Sequence, residues 1–392
     1  MDYKIIDADR HVTEPVNMWE AYVDNEIFTN YPIGLKQQFA DKEKTIALPP
    51  VYTIGGEPVL FSWLHSHQLA SMEKSPQAHN SLLEGMAPDR QLESMERHKI
   101  AKAFLFPTFA TFLINHQDLP SKVSGAYALA YNNWLKDYCD YNEHRLKGVG
   151  LISRHDTSSM LEQLQTVIDF GWTCITLRPE MIMGKTLGHC DHDLFWQQCE
   201  KYNIAVAIHG GTHVHVPTAG SERFTSHFAL HACSHPIEAQ MAFLSLLESG
   251  VFERYPKLKF AFLEAGSAWV PYWLWRLDNI CYPEFPSLVK ENIKMLPSNY
   301  FKRQCWVAVE PGEPNLRETI KWIGHKKLLF GSDFPHPDHA HIDVENIASD
   351  CSELTSAELH DMLDNNANDF FERKLSLTNI QQEAIYDSVK IA

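Results

Sequence analysis

The sequence predicts an α/β protein: one (β/α)8 barrel (TIM barrel) with a long insertion between its first and second strands. Two observations carry this. Eight short runs rich in Ile, Val, Leu and Phe recur along the chain, the composition of strands buried on both faces of a parallel sheet. Longer stretches that mix apolar and polar residues separate them, as crossover helices do. An open doubly wound sheet is the alternative that the same alternation allows. At 392 residues the chain is long enough for one large domain with insertions or two ordinary ones.

The runs are Tyr3–Ala8, Ala101–Pro107, Leu146–Leu151, Thr173–Leu177, Ile204–Ile208, Leu258–Leu263, Cys305–Val309 and Leu328–Phe330. Between them, Glu238–Glu248 shows the helical kind of segment: Ala239, Met241, Ala242, Phe243, Leu244, Leu246 and Leu247 are too apolar for a loop. The connection after the first strand is too long to be a bare loop. It carries Pro49-Pro50, Gly55-Gly56 and the aromatic run Phe61-Ser62-Trp63-Leu64-His65. We expect residues 12–99 to form a cap-like insertion at the pocket rim, within one barrel domain over residues 1–374. Residues 375–392 read as a polar C-terminal tail.

Composition narrows the function. Hydrophobic residues make up 44% and charged residues 21%, which fits a globular chain. The 34 Lys+Arg against 50 Asp+Glu give a net charge of -16, which disfavours nucleic-acid partners. No stretch approaches the ~20 apolar residues of a membrane span. The N-terminus reads as a strand rather than a signal peptide, and eight scattered cysteines fit a reduced cytoplasmic protein. The 21 histidines point to metal or proton chemistry.

Barrel active sites lie at the C-terminal ends of the strands. The first strand leads into Asp9 and His11, which alternation places on one side. The fifth leads into His209 before Gly210-Gly211, and the eighth leads into Asp333. Each alone has a bland reading as a loop residue or helix cap. Together they make a nitrogen–oxygen site with room for water, the donor set of a catalytic zinc, manganese or iron. The sixth strand leads into Glu264, the fourth into Arg178, and His235 precedes a helical segment. His213 and His215 read as solvent-exposed loop histidines.

These stretches resemble the amidohydrolase superfamily, in the branch of the aminocarboxymuconate-semialdehyde and resorcylate decarboxylases. The resemblance runs from Ile5 to about Phe371. It rests on Asp7-Ala8-Asp9-Arg10-His11-Val12-Thr13-Glu14-Pro15 with Trp19, on Arg145-Leu146-Lys147-Gly148 and on Leu177-Arg178-Pro179. It continues through Ala207–Gly210, His235-Pro236, Phe252–Lys259, Phe330–Asp338 and Asn366-Ala367. It implies a barrel holding one divalent metal, zinc first and manganese or iron next, on Asp9, His11, His209 and Asp333. It also implies a homodimer and a small-molecule substrate. Asp333 would serve as ligand and general base, with Glu264 or His235 assisting proton transfer. Arg178, His336 and Trp63 would contact substrate, in a pocket made partly aromatic by Trp63, Phe109 and Trp269.

Two departures matter. Asp9-x-His11 stands where many relatives carry His-x-His, and Glu264 stands where the well-known decarboxylases carry a histidine. Glu264 has three roles open to it: metal ligand, acid/base, or partner of a cation such as Arg178. Two reactions follow: hydrolysis by a metal-activated water, or non-oxidative decarboxylation of an aromatic or conjugated acid. A carboxylate at Glu264 would repel a substrate carboxylate, which favours hydrolysis unless that charge is already paired.

Overall fold

The computed structural model describes residues 4–39, 43–44, 47–59, 82–211, 218–284, 286–336 and 346–372. The barrel strands are β1 (Ile5–His11), β2 (Ile100–Phe106), β3 (Leu146–Gly148, continued by Gly150–Leu151) and β4 (Cys174–Leu177). Next come β5 (Ala205–His209), β6 (Phe260–Leu263), β7 (Cys305–Val309) and β8 (Leu328–Phe330). All eight expected runs are strands, each paired in parallel with its neighbour in chain order.

The ring closes between β8 and β1. The Asp333 amide donates to the Asp9 carbonyl at 2.8 Å, and the His11 amide donates to the Phe334 carbonyl at 2.7 Å. The seam therefore runs through residues expected at the site. Along β1 the register steps from Asp7 opposite Ala103 to Arg10 opposite Leu105, so three steps oppose two. Such a bulge re-aims side chains. Here Asp9 and His11 face the strand ends, while Asp7 and Arg10 meet Ser332 and the helix Pro88–Arg97.

Alternation explains the two-layered core. On β6, Ala261 and Leu263 join the barrel interior with Ala8, Phe106 and Ala207. Phe260 and Phe262 face outward into the helical layer. The helix Asn366–Phe371 closes the barrel bottom, where Phe371 stacks on Phe104 with ring centroids 3.4 Å apart. The helical layer includes Ser121–Asp140, Thr157–Asp169 and Pro236–Glu248. The last includes the expected Glu238–Glu248 and starts at Pro236, a position where proline costs no hydrogen bond.

The described part of the insertion holds two short helices, Met18–Tyr22 and Asn25–Asn30. An antiparallel hairpin of Ile33–Phe39 and Ala47–Ile54 follows. Tyr52 of the hairpin packs on Phe109, just past β2, with centroids 4.9 Å apart. Trp19 meets Tyr127 edge-on. Phe61–His65, with Trp63, lies outside the described residues, as does the tail 375–392. All eight cysteines are free thiols. Among the described residues no helix is long and apolar enough to cross a membrane.

Gly331 permits the seam. A Cβ built on it would lie 2.6 Å from the Asp9 Cβ. Gly331→Ala should force β8 away from β1 and cost about 1–3 kcal/mol, the usual range for overpacking. Chemical denaturation would measure this; unchanged stability would show that the seam has slack.

Candidate metal centre

Asp9, His11, His209 and Asp333 meet at the strand ends, all buried. The His11 Nε2 lies 3.0 Å from Asp333 Oδ1 and 3.5 Å from Asp9 Oδ1. The His209 Nε2 lies 3.2 Å from both Asp9 Oδ1 and His11 Nε2. Glu264 and His235, also expected at the site, are here too. The Glu264 carboxylate reaches His209 Nε2 at 3.4 Å through Oε2 and His235 Nε2 at 3.1 Å through Oε1. His336 places its Nδ1 2.7 Å from Asp333 Oδ1. Glu264 and Asp333 both hold left-handed backbone, each with φ of 50°. Non-glycine residues rarely adopt it, and such strain concentrates at functional sites.

The donor set fits a divalent metal. His11 Nδ1 lies 3.0 Å from the Pro107 carbonyl, and His209 Nδ1 lies 3.1 Å from the Gly210 carbonyl. A carbonyl only accepts, so each Nδ1 carries the proton and each Nε2 of the neutral ring turns a lone pair inward. Two such nitrogens 3.2 Å apart repel unless positive charge lies between them. Asp9 Oδ1 is buried and receives no N–H or O–H hydrogen bond among the described residues. The ligand atoms of Asp9, His11 and His209 lie within 4.8 Å of one another.

The electrostatics agree. Burial pushes the Asp9 carboxyl up, but His209 and His11 more than reverse this and hold it low. Burial and Asp333 push Glu264 up, and His235 and His209 outweigh them. Burial pushes the His11 ring down, yet Asp333 and Asp9 raise it well above the usual imidazole range. Lowered acids beside raised imidazoles mark a pocket that demands positive charge.

A buried network sets the geometry from behind. Asp7 accepts from the Ser332 amide at 2.9 Å, from the Ser332 hydroxyl at 2.5 Å and from Arg10 Nη1 at 3.4 Å. Arg10 Nε reaches Gln91 Oε1 at 3.1 Å, and its Nη2 reaches Ser94 Oγ at 2.8 Å. Gln91 Nε2 donates to the His11 carbonyl at 2.8 Å. Glu14 accepts from the amides of Thr108, Phe109 and Ala110, fixing the turn after β2. These roles escape sequence reading, although Arg10 inside an otherwise buried strand is a signal of an internal ion pair.

Three expectations change. Glu264 does not pair with Arg178. Arg178 forms a forked pair with Glu180, two residues on, its Nε–Oε2 contact being 3.0 Å. It also donates to the Gly210 and Gly211 carbonyls at 2.8 Å each. A fully buried guanidinium engaged this way is a brace between β4 and β5 rather than an open substrate clamp. Trp269 turns outward onto Phe262 and Phe301 and is no pocket wall. Trp63, His213 and His215 lie outside the described residues.

Two predictions follow from this packing. Asp7→Asn leaves the Arg10 cation buried without its counter-charge and should cost about 3–5 kcal/mol, measured by denaturant unfolding; wild-type stability would contradict the seam assignment. Behind Arg178, burial and then Glu180 push the Glu238 carboxyl up to about 7. A raised acid favours folding while protonated, so its contribution falls as pH rises from about 4.5 to about 7. Glu238→Gln should therefore gain stability relative to wild type at pH 8 over pH 5, by on the order of 1–3 kcal/mol. A pH-independent difference would refute this.

The family model described as Amidohydrolase matches residues 6–373. The chain is 26% identical over 244 residues to a 2-amino-3-carboxymuconate-6-semialdehyde decarboxylase from Dictyostelium discoideum. That match covers 57% of this chain and spans 65% of the relative's own length. Among solved structures, an amidohydrolase from Mycobacterium avium subsp. paratuberculosis superposes with a TM-score of 0.73 at 21% identity, covering 94% of this chain and 99% of that one. A 5-carboxyvanillate decarboxylase from Novosphingobium aromaticivorans, complexed with manganese and 4-hydroxy-3-methoxy-5-nitrobenzoic acid, superposes with a TM-score of 0.69 at 18% identity, covering 94% and 96%. At these identities the structural likeness establishes the barrel. With the family match spanning nearly its whole length, the chain belongs to the amidohydrolase family.

Proposed function

We propose that the chain is a divalent-metal-dependent carboxy-lyase that removes CO2 from a small aromatic or conjugated acid. One observation carries this reading: the Glu264 carboxylate is met by His235 and His209. Glu264 therefore faces imidazoles rather than Arg178, and a divalent metal held beside them would offset its charge and weaken the electrostatic objection to an anionic substrate. The names of the decarboxylase relatives support the same class. Hydrolysis by an activated water, which the sequence favours, draws support from the breadth of the superfamily alone.

In this reading Asp9, His11, His209 and Asp333 hold the metal. Zinc is the donor set's first expectation, and the manganese in the 5-carboxyvanillate decarboxylase makes that ion an equal choice. When bound, the metal supplies positive charge to orient the substrate's carboxylate and neighbouring oxygen. The C–C bond to the carboxylate breaks, its electron pair stays on the ring or chain carbon, CO2 leaves, and a proton takes its place. The Glu264–His235 pair, 3.1 Å apart, would hold and deliver that proton. Asp333 orients the acid, with His336 at 2.7 Å fixing its rotamer. The described part of the insertion contributes to the substrate side through Tyr52, which packs on Phe109.

The metal-loaded full-length protein should release CO2 from a member of a panel of hydroxybenzoic, carboxyvanillic and conjugated semialdehyde acids. Small amides and lactones should stay intact. Glu264→Gln should keep its fold and cut turnover by about 10²–10⁴-fold. Hydrolysis of a lactone or amide without CO2 release from any acid would replace this reading with the hydrolase one.

A further inference from the structure

The closed end of the barrel, opposite the metal centre, gathers positive charge in a chain whose net charge is -16. Lys102 stands two residues before Phe104 on β2, and Lys147 on β3 lies opposite Phe104. Phe104 and Val149 belong to the barrel interior, so alternation turns both lysines inward as well. Lys102 Nζ donates to Asn368 Oδ1 at 3.3 Å, and Lys147 Nζ donates to the Glu143 carbonyl at 2.6 Å. Both partners are neutral, and an ammonium has three hydrogens to give. Among the described residues neither lysine pairs with a carboxylate, whereas Lys136 beside them is paired with Asp140 at 2.5 Å. Burial and then Lys102 pull the proton affinity of Lys147 down, and Glu143 only partly restores it.

The two lysines line a cavity of about 510 Å³. That volume falls within the roughly 300–1,000 Å³ of small-molecule sites. Another part of its wall is aromatic: Trp172 and Phe170 meet edge to face, with centroids 5.2 Å apart. Gly148 makes room for the indole, since a Cβ built there would collide with the Trp172 ring. Glu143 and Glu372 are exposed at the rim. Ammoniums with hydrogens to spare beside an aromatic wall complement a planar ring that bears an anionic group.

We propose that this cavity is a second ligand site, which binds a small aromatic anion. Lys102 and Lys147 hold its carboxylate or phosphate, and Trp172 packs on its ring. The site stands apart from the metal centre and does not depend on the carboxy-lyase reading. The competing role for the lysines is to tie the loop before β3 and the helix Asn366–Phe371 to the barrel, with no ligand.

The test is calorimetric titration of the metal-loaded full-length protein with benzoate, phenyl phosphate and inorganic phosphate. Benzoate or phenyl phosphate should occupy a saturable site that persists in His209→Ala. Lys102→Gln and Lys147→Gln should each weaken that binding by at least about tenfold, the loss of one hydrogen bond to a charged group. Trp172→Leu, which keeps both lysines, should weaken it too, with folding of each variant checked by its thermal unfolding midpoint. Inorganic phosphate should bind at least about tenfold more weakly than phenyl phosphate, because it lacks the ring. Binding that disappears in His209→Ala and is untouched by either lysine variant would belong to the metal centre and overturn the second site. The absence of saturable binding would overturn it in favour of the structural role, and equal affinity for the two phosphates would overturn recognition of the ring.

Discussion

The buried Asp7 carboxylate is the constraint on which the rest of the molecule depends. It lies where the last strand of the barrel returns to the first, and it accepts both the Ser332 amide and hydroxyl. Burial pushes its proton affinity up, and Arg10 and Ser332 pull it back. The pair is therefore costly to bury and costly to break. By holding β8 on β1 it brings Asp333 against His11, although the two are far apart in the chain. Through Arg10 it also ties the seam to Gln91 and Ser94, so the end of the insertion braces the same strand that carries Asp9 and His11.

Charge is arranged in two shells around this seam. The inner shell sets three carboxylates against imidazoles whose other nitrogens are anchored on carbonyls and hydroxyls. The outer shell pairs Arg178 with Glu180, while Arg154 donates to the Arg178 and Glu180 carbonyls. Glu238 sits at its edge, accepting from the Ala219 amide. The outer guanidinium is consumed by its own partners, so it lends little charge to the inner shell. The inner acids must find their positive charge within the pocket.

The strands were legible because burial on both faces leaves an unmistakable apolar run, and strand ends locate a barrel's site. That is why the convergence of Asp9, His11, His209, Glu264 and Asp333 at one end of the barrel follows from their order in the chain. What the sequence hid is pairing. Arg178 chooses Glu180, a neighbour two residues away, because both lie in the turn leaving β4. Trp269 stands five residues past Glu264, yet it begins an outer helix. Glu313 accepts the Ser267 and Ala268 amides and turns the chain away from the pocket. The bulge in β1 and the left-handed backbone at Glu264 and Asp333 are likewise set by the closed ring, not by local preference.

The position of Glu264 bears on chemistry more than its identity does. A histidine there would offer one neutral nitrogen. Glu264 offers two oxygens, and it spends one on His209 and the other on His235. It therefore couples the ring that faces Asp9 to a ring that begins the next helix, and a proton or a cation placed on either is felt by both. A carboxylate in this position is compatible with an anionic substrate only while the charge around it is positive. The departure from the better-known decarboxylases thus carries its own requirement: the chain that replaces the histidine with an acid must keep His235 opposite that acid.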